Sequence, residues 1–169
     1  HIAGTDSPMS GVDDFTIALV FASSAKLSVI NSDVWFDHTG LIDANRFGFA
    51  ADWGLSLTGR GQIAVGLGNP AKTQFSTSEE LLDGLAHVVI FSRSSNTISL
   101  YVDGQVDTRS DAGTAARGTF DMIIGRLASG NLPFSGDIAE IHVYNDDLTA
   151  EEATTLNTEL FGRYRNLQP

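Results

Sequence analysis

Residues 87–108 read HVVIFSRSSNTISLYVDGQVDT, and this stretch decides the fold class. Apolar and β-branched residues fill His87 to Arg93 and again Thr97 to Val102, with the polar loop Ser94-Ser95-Asn96 between them, so the segment predicts two consecutive strands. Asp103-Gly104 follows, a pair that readily takes the positive φ angles of a two-residue hairpin turn. Strands joined this closely can pair only in antiparallel fashion.

The same period of two runs through most of the chain. In FTIALVF, Phe15, Ile17, Leu19 and Phe21 point one way and Thr16, Ala18 and Val20 the other, and both sets are mostly apolar, which predicts a central strand covered on both faces. In GLSLTGRGQIAVGLG, Leu55 and Leu57 precede a Gly59-Arg60-Gly61 turn and Ile63 and Val65 follow it, a second hairpin. Further strands are predicted at Phe120 to Gly125 and Ile138 to Tyr144. After them Thr149 and Glu152 stand at capping-box spacing before a helix whose Ala153, Leu156 and Leu160 share a face, with Gly162 as a left-handed stop. No repeat, low-complexity tract or long linker interrupts residues 1–169. The economical architecture is an all-β, two-sheet antiparallel sandwich with one short C-terminal helix.

The 169 residues suffice for one ordinary domain. Ten Lys and Arg against 21 Asp and Glu give a net charge of −11, the wrong sign for a nucleic-acid binder. No apolar run reaches the roughly 18 to 20 residues of a membrane-spanning helix, so membrane insertion is not expected. The absence of cysteine removes disulfides, thiolate zinc sites and thiol nucleophiles together. The start HIAGTDSPMS lacks an initiator Met and a signal-peptide pattern, and the expectation is a domain taken from a longer protein.

At the C-terminal end, FSGDIAEIHVYNDDLTAEE resembles the closing strand and helix start of bacterial laminin-G-like domains, which share the concanavalin A-like jelly-roll sandwich. DDFTIALVF, FAADWGLSLTGRGQIAVGLGNP and DGLAHVVIFSRSSNTISLYVDGQ agree with that family in order, so the resemblance spans nearly the whole chain. One departure is Leu85-Ala86-His87, where such domains commonly carry Trp before the His. The resemblance implies a jelly roll and an extracellular or cell-surface setting. It leaves function open, since the superfamily includes lectins, adhesion modules, glycanases and spacers. It further implies one structural calcium, held by a carboxylate on the final strand plus main-chain carbonyls near the N-terminus; Glu140 occupies that carboxylate position, with Asp137 as its neighbour. Against that stands the plainer reading that Glu140 faces solvent or pairs with an Arg.

Catalytic patterns are missing. Glycanases on this sandwich resemble one another in a strand bearing two Glu and an Asp at alternate positions, and no such triplet occurs. The acidic pairs Asp13-Asp14, Glu79-Glu80, Asp146-Asp147 and Glu151-Glu152 are adjacent in sequence, an arrangement suited to solvation or capping. No GxSxG elbow or HxxxH pair is present, and His87 and His142 fall within strands, where hydrogen-bonded structural roles are commoner. Sugar recognition needs an aromatic face beside polar side chains. Trp53 with Asp52, and Trp35 in the long loop SVINSDVWFDHTGLID, are the candidates, joined by Asn69, Arg93 and Tyr101 if their strands share a concave side; the competing reading makes each Trp core. The expectation is a non-catalytic carbohydrate-binding or adhesion module whose partner is a glycan, polysaccharide or cell-surface protein. A spacer that binds no sugar is the alternative, with a polysaccharide-degrading enzyme ranked last.

Overall fold

The computed structural model describes residues 8–68, 71–113, 117–118 and 121–164. Ten strands among them form two antiparallel five-stranded sheets. The first sheet holds β1 (Phe15–Ala22), β6 (Ala86–Ser94), β7 (Thr97–Val102), β8 (Gln105–Arg109) and β10 (Asp137–Tyr144), in the order β10-β1-β6-β7-β8. The second holds β2 (Thr39–Asp43), β3 (Trp53–Leu57), β4 (Ile63–Leu67), β5 (Lys72–Phe75) and β9 (Ile123–Ile124), in the order β5-β4-β3-β2-β9. With the C-terminal helix α1 (Ala150–Tyr164) this is the two-sheet jelly-roll sandwich that the alternation and the resemblance predict.

β1 is central, as its two apolar faces require. Phe15, Ile17, Leu19 and Phe21 enter the core between the sheets, where they meet Trp53, Leu55, Leu57, Ile63 and Val65 from the second sheet. Ala18 and Val20 face the other way and pack with Val88, Ile90 and Tyr101 beneath Ala153 and Leu160 of α1. The Asp103-Gly104 turn has φ values of 51° and 88°, the pairing that closes β7 onto β8. Three predicted boundaries shift. Ser94 ends β6, leaving Ser95-Asn96 as the turn. The strand predicted over 120–125 is only Ile123–Ile124, and Phe120 lies outside the described residues. Gly162 falls inside α1, which continues to Tyr164, so it does not stop the helix.

The outer face of the second sheet is covered by its own chain. Trp53, Leu55 and Leu57 on β3 and Ile63, Val65 and Leu67 on β4 point into the core, so the intervening Gly54, Ser56, Ala64 and Gly66 point outward. Gly54 and Gly66 are register partners, and the indole of Trp35 lies on them so closely that a Cβ at either would drive into its ring. Two hydrogen bonds fix the segment from below: Ser56 Oγ donates to the Trp35 carbonyl at 2.6 Å, and the Trp35 amide donates to Thr73 Oγ1 at 3.2 Å. A 3-10 turn over Trp35–Asp37 then leads into β2.

α1 is held at both ends. Thr149 and Glu152 form the capping box, with Glu152 Oε2 accepting from the Thr149 amide at 2.9 Å and the Glu152 amide donating to Thr149 Oγ1 at 3.3 Å. At the other end Arg163 Nη1 and Tyr164 OH donate to the Glu140 carboxylate at 3.0 and 2.7 Å, while His142 Nε2 lies 2.6 Å from Glu140 Oε2. The Tyr164 hydroxyl, followed by His142 and Arg163, holds the Glu140 carboxyl down at about 2.

Two outcomes are expected. Gly66→Ala unseats Trp35 and lowers unfolding stability by about 1–3 kcal/mol, read by urea denaturation, because the added methyl has no room. Glu140→Gln is less stable than wild type above the ordinary carboxyl value of 4.5, and the difference shrinks as pH falls toward about 2, since a carboxyl depressed in the fold loses its contribution when protonated. Thermal melts of both proteins across that range measure the convergence.

Candidate functional site

β2 and β3 pair along the second sheet, and the loop between them carries the most exposed aromatic residues of the described chain. The Phe49 amide donates to the Arg46 carbonyl at 3.0 Å, and Gly48 has φ 83°, which makes Arg46-Phe47-Gly48-Phe49 a tight turn with Gly48 in its left-handed position. That geometry puts Phe47 at the apex, 99% exposed. Phe49 is 48% exposed and carries the Arg46 guanidinium 5.3 Å from its ring centroid. Beneath the turn opens a cleft of about 170 Å³, lined by Phe36, Asn45, Phe47, Asp52 and the backbone around Gly68 and Ala71.

The floor of this cleft is a carboxylate. Asp52 is only 4% exposed, and its Oδ1 has no hydrogen-bond partner. Burial raises its pKa, against the pull of the amides of Arg46, Asp52 and Gly68 and the charge of Arg117. Arg117 Nη1 donates to the Asp52 carbonyl at 3.2 Å, anchoring the main chain behind it. Asp43 is a second buried carboxylate; burial, with a smaller push from the charge of Asp52, raises it to about 6. Its oxygens are taken, Oδ1 by the Asn45 amide and Oδ2 by the Ala128 amide, so Asp43 shapes the loop while Asp52 lines the cleft.

A second depression lies at the opposite, β3–β4 end of the sheet, between residues 29–33 and the turn at Thr58–Gln62, with His38 and Phe75 in its wall. The His38 ring stacks edge-on against Phe75, and its Nε2 lies 3.2 Å from the Ser32 carbonyl. Burial lowers its pKa. Arg60, Asp33 and Gln62 mix opposite charges around this depression, and no large aromatic face opens into it comparably to Phe47.

The residues singled out from sequence do not converge on one surface. Trp53 and Trp35 are both fully buried, Trp53 in the core against Phe15 and Trp35 on the glycine pair, so neither presents a face to a ligand. Arg93 is buried and its guanidinium serves the main chain, donating to the carbonyls of Asp13 and Gly113 and to Asp14 Oδ1 at 2.9, 2.6 and 2.8 Å. Tyr101 lies under α1. Asn69 is outside the described residues, although Gly68 and Ala71 on either side of that gap line the cleft. Of the candidates within the described residues only Asp52 lines the cleft, and the aromatic beside it there is Phe47 rather than Trp53. His87, bonded to Asp103 at 2.7 Å and Asp83 at 3.0 Å, has the structural role that strand histidines commonly have.

Glu140 and Asp137 do not fit a calcium ion as they stand. A calcium ligand needs free carboxylate oxygens, and both oxygens of Glu140 are engaged by Arg163, Tyr164 and His142, the pairing with an Arg that the plainer reading anticipated. Asp137 is exposed at the start of β10. Among the described residues no three His, Asp or Glu side chains gather as a metal cluster, and residues 1–7 at the N-terminus lie outside the description.

Comparison with known proteins agrees with this architecture. Domain 4 of an extracellular arabinanase from Geobacillus stearothermophilus, solved in complex with arabinotriose, superposes with a TM-score of 0.67 at 18% identity, over 92% of this chain and 71% of that one. Domains LG4-5 of the mouse laminin α1 chain give 0.65 at 16% identity, over 88% of this chain and 40% of theirs. The receptor binding domain of botulinum neurotoxin type G gives 0.63 at 14% identity, over 88% of this chain and 38% of that one. The chain thus spans less than half of the laminin and neurotoxin structures, and identities this low establish the fold alone. No curated protein matches in sequence. The model of a laminin G family described as "Concanavalin A-like lectin/glucanases superfamily" matches residues 3–154, and the chain belongs to that family.

Proposed function

We propose that this domain is a non-catalytic module that docks a glycan at the β2–β3 loop of its second sheet. One observation carries the reading: Phe47 is held fully in solvent at the apex of a glycine-containing turn, above a cleft with Asn45 and Asp52 in its wall. An apolar ring left out in water is unfavourable for a lone domain and gives a sugar ring a surface to stack on, while the amide and carboxylate accept its hydroxyls. Fold relatives from a laminin, an arabinanase and a neurotoxin receptor binding domain support a binding role in general terms and agree with an extracellular setting. Cleavage is disfavoured by the carboxylates themselves, since glycoside hydrolysis uses two flanking acids and Asp43 has both oxygens committed to backbone amides. Affinity is expected to be modest, because an open site exchanges water hydrogen bonds for protein ones.

The spacer alternative gains from the burial of both tryptophans, which removes the platforms most commonly used for stacking. Glycan-array binding decides between them. Wild type is expected to bind at least one glycan, and Phe47→Ala is expected to lose it on the order of tenfold while its melting temperature stays put, because the ring contributes nothing to the core. The purified domain is expected to release no reducing ends or unsaturated products from the glycan it binds. Absence of binding across the array would favour the spacer, and turnover would return the chain to the enzymes.

A further inference from the structure

The charge of the cleft selects among glycans. Among the described residues, the side chains in its wall are aromatic, amide, aliphatic or acidic: Phe36, Asn45, Phe47, Asp52 and Ala71, with Gly48 and Gly68 contributing backbone. Two arginines flank the cleft, and neither belongs to its described lining. Arg46 lies over Phe49, and Arg117 donates to the Asp52 main-chain carbonyl behind the floor. Asp43 adds a second buried carboxylate, close enough to Asp52 to feel its charge. An anionic sugar entering here would bring its charge toward two carboxylates in a poorly solvated place, where like charges repel strongly.

Asp52 sets the other half of the selection. Its side chain is buried, and Oδ1 stands without any donor. A buried acceptor left unpaired costs free energy that a donor can recover, and a carboxylate makes the stronger, charge-assisted form of that bond. Resting on the glycan-binding reading above, we infer that the β2–β3 cleft takes a neutral sugar ring, stacked on Phe47, whose hydroxyl donates to Asp52 and whose neighbouring hydroxyl meets Asn45, and that it rejects uronic acid and sulfated sugars. The hydroxyl reaches Asp52 either directly or through one water.

Affinity electrophoresis on gels containing a single polysaccharide tests this. The neutral set is arabinan, galactan, xylan and mixed-linkage β-glucan; the acidic set is polygalacturonate, alginate and heparin. Wild type is expected to be retarded by at least one neutral polymer and by no acidic one. Phe47→Ala should abolish the retardation, and Asp52→Asn should weaken it on the order of tenfold, the loss of one charge-assisted bond. Thermal melts check that Asp52→Asn is folded, and the exposed Phe47→Ala supplies the test if it is not. Retardation by acidic polymers alone overturns the charge selection and leaves glycan binding standing. Retardation by neutral polymers that neither variant changes overturns this cleft as the site. No retardation by any polymer overturns both the selection and the glycan reading.

Discussion

The seating of Trp35 on the paired glycines 54 and 66 decides what the second sheet can offer. A sheet of this kind presents two faces; one is consumed by the sandwich core and the other would be an open platform. Here the largest side chain of the connecting segment fills the middle of that platform, and the main chain of Trp35 is locked by hydrogen bonds to Ser56 and Thr73 on the strands beneath it. What remains accessible lies at the ends: the depression at His38 on one side and the Phe47 cleft on the other. On the first sheet α1 covers Ala18, Val20 and Tyr101, and the opening there, of about 460 Å³, runs along α1 past Tyr144, Leu148 and Glu152. The exposed aromatic surface of this sheet is thereby left to the β2–β3 loop.

Charge placement follows the same division between frame and site. Arg93, Glu140, His87 and Asp43 are all charged or titratable groups with several protein partners, and each ties distant parts of the chain together: the N-terminal segment to β6, β10 to α1, the start of β6 to the Asp103 turn, and β2 to Ala128. Such groups are stabilised in the fold because their partners are fixed, and removing one partner leaves the other stranded. Asp52 differs in having a buried oxygen that no protein group satisfies.

Much of the architecture was readable from local pattern. The two apolar faces of β1, the hairpins around Arg60 and Asp103, and the Thr149 capping box each depend on residues close together in the chain, and each stands where the alternation puts it. Site residues were harder, because their roles come from partners far apart. Trp53 shares the parity of Leu55 and Leu57, which already places it in the core. The signal for Trp35 was the outward pair Gly54 and Gly66, small residues where a strand invites a close approach, but nothing local says which side chain fills the space. Arg93 and Glu140 bind across the whole fold. The turn Arg46-Phe47-Gly48-Phe49 carried a legible signal that aromatic-to-polar reasoning about tryptophan overlooked: an apolar ring next to a glycine in a polar loop is displayed, not buried.

The burial of both indoles has a practical consequence. Trp35 and Trp53 account for the tryptophan of the chain, and both lie away from solvent, yet each adjoins a residue that lines the Phe47 cleft: Phe36 follows Trp35 and Asp52 precedes Trp53. Intrinsic emission therefore reports first on the integrity of the sandwich, and a change in it on adding a sugar needs a melting curve beside it before it is read as occupancy of the cleft.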